Sequence, residues 1–282
     1  MPGAGLDRRG TDRADGTEQM MSGEPDSIMV SRIDNIVRLV IDRPAKRNAM
    51  RVEDKSALTE QVTAAARGGA RAIVLRGAGD QSFCAGSDLT QMSMMSEAEF
   101  LVMQDVEAAM YDAIMRCPLP VIAAVGGWAL GTGCLLAAVS DFCIAEPTAR
   151  FGQPEILNGA PTPIHGALLP RLLGLRRARW LALTGHTISA DTALAWGLVD
   201  EVVEPGHAEE RAIALATDLA EATHSTSMAL QKRIIDSWIR QPFDSAVEAS
   251  KFVAASAYAS GWPQSASQRM HGRRLAATEE DR

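Results

Sequence analysis

PVIAAVGGWALGTGCLLAAVSDFCIAEPTARFGQPE, residues 120–155, carries the most informative pattern in the chain. Its apolar opening, residues 121–125, predicts a strand, Gly126, Gly127, Gly131 and Gly133 punctuate the segment beyond it, and residues 134–139 predict a buried helix. A strand that ends in glycines and feeds a helix leaves unpaired N–H groups and partial positive charge at the helix start, so this corner is expected to hold an anion. A short strand over 141–145 comes next, and the turn FGQPE (151–155) then delivers the carboxylate of Glu155 behind Pro154. Facing the glycine corner, that carboxylate could take a proton from the carbon beside a carbonyl while the amides hold the resulting enolate.

On the N-terminal side, residues 72–76 predict another strand, GAGDQSFCAGSD (77–88) a glycine-rich loop, and residues 89–117 a methionine-bearing helix that ends before Pro118 and Pro120. The central stretch therefore repeats a unit of strand, glycine loop and helix. Two such units side by side would bring two glycine loops to one sheet edge and aim two donors at one oxygen. Upstream, residues 28–33 and 35–42 predict strands joined at Asp34-Asn35. The basic turn RPAKRNAM (43–50) leads into a helix over 51–67 that Gly68-Gly69 stops. Downstream come a proline- and glycine-interrupted segment (156–174), a helix over 178–184, a helix over 190–196 capped by Ser189, a strand over 198–203 and three or four amphipathic helices from about residue 207 to 277. Residues 1–26 are polar with almost no large apolar side chain, the composition of a disordered tail, and Met20 or Met21 is a candidate true start. The expected division is a tail over 1–26, an αβ core over 27–205 and a helical region over 206–282.

Composition narrows the function. The chain has 282 residues, 46% hydrophobic and 22% charged, as in a soluble globular protein, and no apolar run long enough for a membrane span. No basic-then-apolar leader pattern is present, which favours the cytoplasm. A net charge of -7 argues against nucleic acid, and an anionic ligand would need a local basic cluster. Cys84, Cys117, Cys134 and Cys143 lack zinc-site spacing and are expected to be reduced and mostly buried, so no metal is predicted. Gly131-Thr132-Gly133 has no third glycine for a dinucleotide fingerprint, and neither a phosphate loop nor a serine nucleophile elbow occurs.

Five segments in order, IDRPAKRNAM (41–50), SFCAGSDL (82–89), PVIAAVGGWALGTGC (120–134), FGQPEI (151–156) and LTGHTISADTALAWGLVDEVV (183–203), resemble the enoyl-CoA hydratase/isomerase, or crotonase, family. The resemblance implies an α/β crotonase-like spiral of ββα units with a helical C-terminal trimerisation region, a homotrimer or dimer of trimers, and an acyl-CoA thioester substrate whose coenzyme A makes a separate cofactor unnecessary. It implies that the amides of Ser87 and Thr132 form an oxyanion hole bordered by Ala85, Gly86, Asp88, Leu89 and Gly131. Thr132 stands where glycine is common, so its donor survives only if threonine tolerates the local backbone. Family hydratases hold a water between two glutamates; Glu155 matches the second, whereas Leu135 occupies the place of the first. A single acid suits an isomerase, which shuttles one proton between two carbons. The alternatives are hydration with an altered site, in which His165 assists, and a non-catalytic acyl-CoA binder. Lys46, Arg47, Arg273 and Arg274 match basic positions near the coenzyme A phosphates. Trp128, Met92, Met94 and Met95 are candidates for lining an acyl pocket, with core packing the default, and Asp88 is expected to cap the helix after it.

Overall fold

The computed structural model describes residues 27–259, 261–265 and 267–268. The tail over 1–26 and the basic pair Arg273 and Arg274 lie outside the described residues.

The chain opens with the hairpin β1 (Ile28–Ile33) and β2 (Ile36–Ile41), turned at Asp34, whose φ of 51° suits a short polar side chain. Helix α1 (Val52–Arg67) comes after a basic 3-10 turn over Pro44–Lys46. Two units then repeat: β3 (Ala72–Gly77), β4 (Ser82–Cys84), α2 (Leu89–Met92) and α3 (Glu97–Met115); then β5 (Val121–Val125), β6 (Trp128–Leu130) and α4 (Thr132–Val139). Strands β7 (Phe142–Ala145) and β8 (Arg150–Gly152) lead to 3-10 turns over Pro154–Asn158 and Ile164–Leu168, and to α5 (Leu169–Leu173) and α6 (Leu175–Thr184). The chain continues through β9 (Thr187–Ser189), α7 (Ala190–Trp196), β10 (Glu201–Val202) and the long helices α8 (Ala208–Ala222), α9 (Ser225–Arg240) and α10 (Phe243–Tyr258).

After the opening hairpin, both of whose strands join the larger sheet, each turn of this spiral puts one strand in each of two sheets. The larger has the order β1-β2-β3-β5-β7-β10 and the smaller β4-β6-β8-β9. The inner strands of the large sheet are parallel and covered on both faces, which is why they read as nearly continuous apolar runs. Alternation divides them. Ile73 and Leu75 of β3 enter the main core, whereas Ala72 and Val74 join Ile122, Ala124 and Ile144 against Ala208, Ala212 and Ala216 of α8. The i, i+4 alanine stripe lets that helix lie close to the sheet.

Several elements depart from expectation. The helix over 89–117 is broken by a capping box, with Ser96 Oγ accepting from the Glu99 amide. The strand over 198–203 shrinks to β10, because the α7 end at Gly197 continues as a turn in which the Leu198 amide donates to Ala193 O. The small sheet is an addition: three-residue strands carry too little periodicity to be read. Helix α9 is tied to the core by Lys232, whose Nζ donates to Asp141 Oδ2 at 2.5 Å and to Leu119 O at 2.8 Å.

Candidate active site

The loop after β4 is stitched beside the basic turn. Ala85 N donates to Arg47 O at 3.0 Å, Met50 N to Gly86 O at 2.8 Å and Asp88 N to Met50 O at 2.9 Å. Because the flanking groups of Ser87 are used on that side, its own N–H projects to the other, and it meets no backbone acceptor among the described residues. Gly86, at φ 109°, supplies the backbone conformation that makes the turn.

Thr132 opens α4. The first bond of that helix runs from Leu135 N to Gly131 O at 3.0 Å, so the amides of Thr132, Gly133 and Cys134 precede the ladder. Thr132 is helical and has no positive φ. Threonine therefore keeps the donor at no backbone cost. The two loops abut: Ser87 Oγ and Thr132 Oγ1 are 3.0 Å apart.

Glu155 reaches the same corner from the turn Pro154–Asn158. Parallel pairing of β6 with β8, and a bond from Gly131 N to Gly152 O at 2.9 Å, fix that turn against the start of α4. A Cβ on Gly131 would stand only 2.6 Å from Glu155 Oε1, so the glycine makes room for the carboxylate. Burial pushes the Glu155 carboxyl above its ordinary range, and the negative charge of Glu107 adds to the rise. Among the described residues the partner its carboxylate finds on another side chain is Thr162, whose Oγ1 donates to Oε2 at a long 3.3 Å. It is a carboxylate with acceptor capacity to spare.

These groups face a cavity of about 350 Å³. Ala85, Gly86, Ser87, Leu89, Gly131 and Thr132 line it, with Arg47 among the lining groups and Leu135 presenting an alkyl wall, whereas Asp88 does not. Met92 also lines it, while Met94 and Met95 do not. Trp128 lies elsewhere on β6, and Lys46 is exposed on its turn outside the cavity. Asp88 caps α2 through Thr90 N and Gln91 N and binds Arg43 Nη1 at 3.0 Å. Burial would raise its carboxyl, but Arg43 and the helix amides outweigh it and hold the group below the usual range. His165 needs correction as a pocket group. Its Nε2 lies 3.1 Å from Asp112 Oδ1, which also accepts from Arg240 Nη2 at 2.7 Å, and this outer ion cluster keeps the ring outside the cavity.

Sequence reasoning missed three polar side chains behind the corner: Lys55 of α1, and Glu107 and Tyr111 of α3. All are buried, and Glu107 lines the cavity. The available signal was placement, since Glu107 falls on the stripe Met103, Met110, Tyr111, Ile114, and Lys55 on the stripe Leu58, Val62, Ala65. The four cysteines are free and buried, and burial pushes the Cys84 and Cys134 thiols up to about 12. Among the described residues no cluster of three or more His, Cys, Asp or Glu side chains could hold a metal.

A spiral of ββα units brings two amides outside the backbone ladders and a sparsely bonded carboxylate to one cavity, an arrangement that can stabilise an oxyanion while a proton moves. A sequence model of the family described as enoyl-CoA hydratase/isomerase matches residues 32–258, and the chain belongs to that family. It is 38% identical to a crotonyl-CoA hydratase of Syntrophomonas wolfei over 64% of this chain and 70% of that protein. It is also 34% identical to a 2,3-dehydroadipyl-CoA hydratase of Escherichia coli over 68% and 75%. The crystal structure of an enoyl-CoA hydratase from Mycobacterium smegmatis superposes with a TM-score of 0.78 at 31% identity, covering 83% of this chain and 91% of that one.

Proposed function

We propose that the protein acts on an acyl-CoA thioester and moves a double bond within the acyl chain. The thioester carbonyl would sit between the Ser87 and Thr132 amides, which lower the energy of negative charge on its oxygen. From a 3-enoyl thioester, the Glu155 carboxylate takes a proton at C2. The electron pair delocalises into a dienolate whose oxygen the amides hold. The carboxylic acid so formed returns the proton at C4, leaving the conjugated 2-enoyl thioester and regenerating the carboxylate. Each amide is worth on the order of 3 kcal/mol in the transition state, and a placed general base typically 10²–10⁴ in rate. The names of the relatives support a coenzyme A thioester as substrate, and Arg47 at the cavity is a partner for its anionic portion.

The observation that carries isomerisation over hydration is the alkyl wall of Leu135, 2% exposed, which leaves Glu155, among the described residues, as the carboxylate at the corner with free acceptor capacity. Hydration is the second reading, favoured by the hydratase relatives and by a second carboxylate, Glu107, on the cavity wall. Assays with matched 3-enoyl- and 2-enoyl-CoA series separate them. Isomerisation predicts faster appearance of the conjugated thioester than of 3-hydroxyacyl-CoA. Rapid water addition, lost in both Glu155→Gln and Glu107→Gln, would establish hydration instead. Exposed Trp238, Phe243 and Phe252 on α9 and α10 support the trimer reading for the C-terminal region. No helix among the described residues is long and apolar enough to cross a membrane.

A further inference from the structure

Lys55, Glu107, Ser87 and Thr132 form a closed ring of hydrogen bonds behind the two amides. Lys55 is completely buried, and its Nζ donates to Glu107 Oε2 at 2.6 Å, to Ser87 Oγ at 2.7 Å and to Met103 Sδ at 3.2 Å, which uses all three ammonium protons. Ser87 Oγ accepts from Lys55, so its own proton is free for Thr132 Oγ1 at 3.0 Å. Thr132 Oγ1 in turn donates to Glu107 Oε1 at 2.8 Å, where Tyr111 donates its phenol proton at 2.5 Å. Burial holds that phenol well above its ordinary range, so it remains a donor. Each hydroxyl donates once, and the ring closes with every polar atom satisfied.

We propose that Lys55 and Glu107 are positioning residues, joined to the Ser87 and Thr132 hydroxyls in a circuit that sets the spacing and aim of the two oxyanion-hole amides. The proposal rests on the reading of those amides as the donors to a thioester carbonyl. A buried ion pair seldom stabilises more than apolar residues of similar volume would, and elsewhere these two helices bury Leu58, Val62 and Met110. The pair occurs where the helices meet the loops that carry the hole. Donors in such a hole must lie about 2.7–3.1 Å from the developing oxyanion, so a small drift of either loop forfeits stabilisation. Glycine at position 132 would supply the amide but could not join the ring. The hydroxyl of Thr132 ties the start of α4 to α3, and that of Ser87 ties the other loop to α1.

The test uses a conjugated aryl-enoyl thioester of coenzyme A, whose absorbance moves to longer wavelength when its carbonyl is polarised, alongside steady-state kinetics on an enoyl-CoA. Thr132→Val keeps shape and charge and cuts the ring at one hydroxyl. It should lose at least about half of the wavelength shift and about tenfold to a hundredfold in kcat with KM changed less than about threefold. Thr132→Ser should restore both, and Glu107→Gln should resemble Thr132→Val. An unchanged shift and unchanged kcat in folded Thr132→Val would overturn the proposal even if Glu107→Gln failed to fold. Glu155→Gln separates the ring from the proposed reaction, since it should lower kcat by about 10³–10⁴ and keep the shift. A wild-type protein that shifts the probe but turns over no enoyl-CoA would sink the reaction and leave the ring to be judged on the shift. Binding without any shift would sink both.

Discussion

Glu155 and Glu107 line the same cavity, and the protein treats them in opposite ways. Glu155 stands on a short turn and takes a long 3.3 Å hydrogen bond from Thr162, and burial raises its proton affinity. Glu107 stands on a long helix and accepts from Lys55, Tyr111 and Thr132 within 2.8 Å. A carboxylate that must accept and release a proton needs an unoccupied lone pair, and Glu155 has one. A carboxylate whose oxygens are already filled is fixed in place. Position in the cavity is shared; the supply of donors assigns the roles.

Neutralising each acid without changing its shape puts this contrast under the most strain. Glu155→Gln should lower kcat by about 10³–10⁴ while thioester binding persists, because the proton then has no carrier. If the larger loss fell instead on Glu107→Gln, the roles would be exchanged. Stability should respond the other way. Lys55→Met leaves the Glu107 charge buried with no cation, so chemical denaturation should show a loss of about 3–5 kcal/mol, and adding Glu107→Leu should recover most of it. A small loss in the single variant would mean that the Lys55–Glu107 contact carries little of the folding free energy, contrary to its assignment. Smaller again is Gly131→Ala. At φ 50° and ψ -114° the new methyl costs about 1–3 kcal/mol of backbone strain and displaces the Glu155 carboxylate, which should reduce kcat about tenfold. Full activity in that variant would show that Glu155 works from another rotamer.

What could be read from sequence divides along the same line. The glycine corners and Glu155 were legible because backbone donors are marked by glycine spacing next to them in the chain. Strand β5 and helix α7, with its Ser189 cap, have the bounds that their patterns imply. Lys55 and Glu107 were not legible as partners: they are 52 residues apart, and each is one polar position on an apolar stripe. A charge on such a stripe signals a buried partner without naming it. The place of His165, a satisfied loop histidine and not a pocket group, was open in sequence for a related reason, since Asp112 and Arg240, far apart in sequence, decide where the ring lies. Three-residue strands such as β4, β6 and β8 owe their existence to parallel neighbours in the next turn of the spiral.

The charge of Glu107 can also be read through Glu155, by a smaller effect. The Glu155 carboxyl has its proton affinity raised above the ordinary value of 4.5, first by burial and then by the negative neighbour. Catalysis needs the carboxylate, so wild-type kcat/KM should fall on the acid side around a pH higher than an ordinary glutamate would give. Glu107→Gln removes the neighbour's charge but not the burial, so the acid limb of whatever activity remains should move to lower pH without reaching the ordinary value. Stability carries the matching sign. A raised folded-state pKa means that the contribution of Glu155 is fully present below its unfolded value and is lost as pH rises through the folded one. Glu155→Gln should therefore be more stable than wild type at neutral pH, with a difference that vanishes in acid. An acid limb that stays put or moves to higher pH in Glu107→Gln would mean that the α3 carboxylate carries no charge beside the base, and the contrast between the two acids would then have to rest on hydrogen bonding alone.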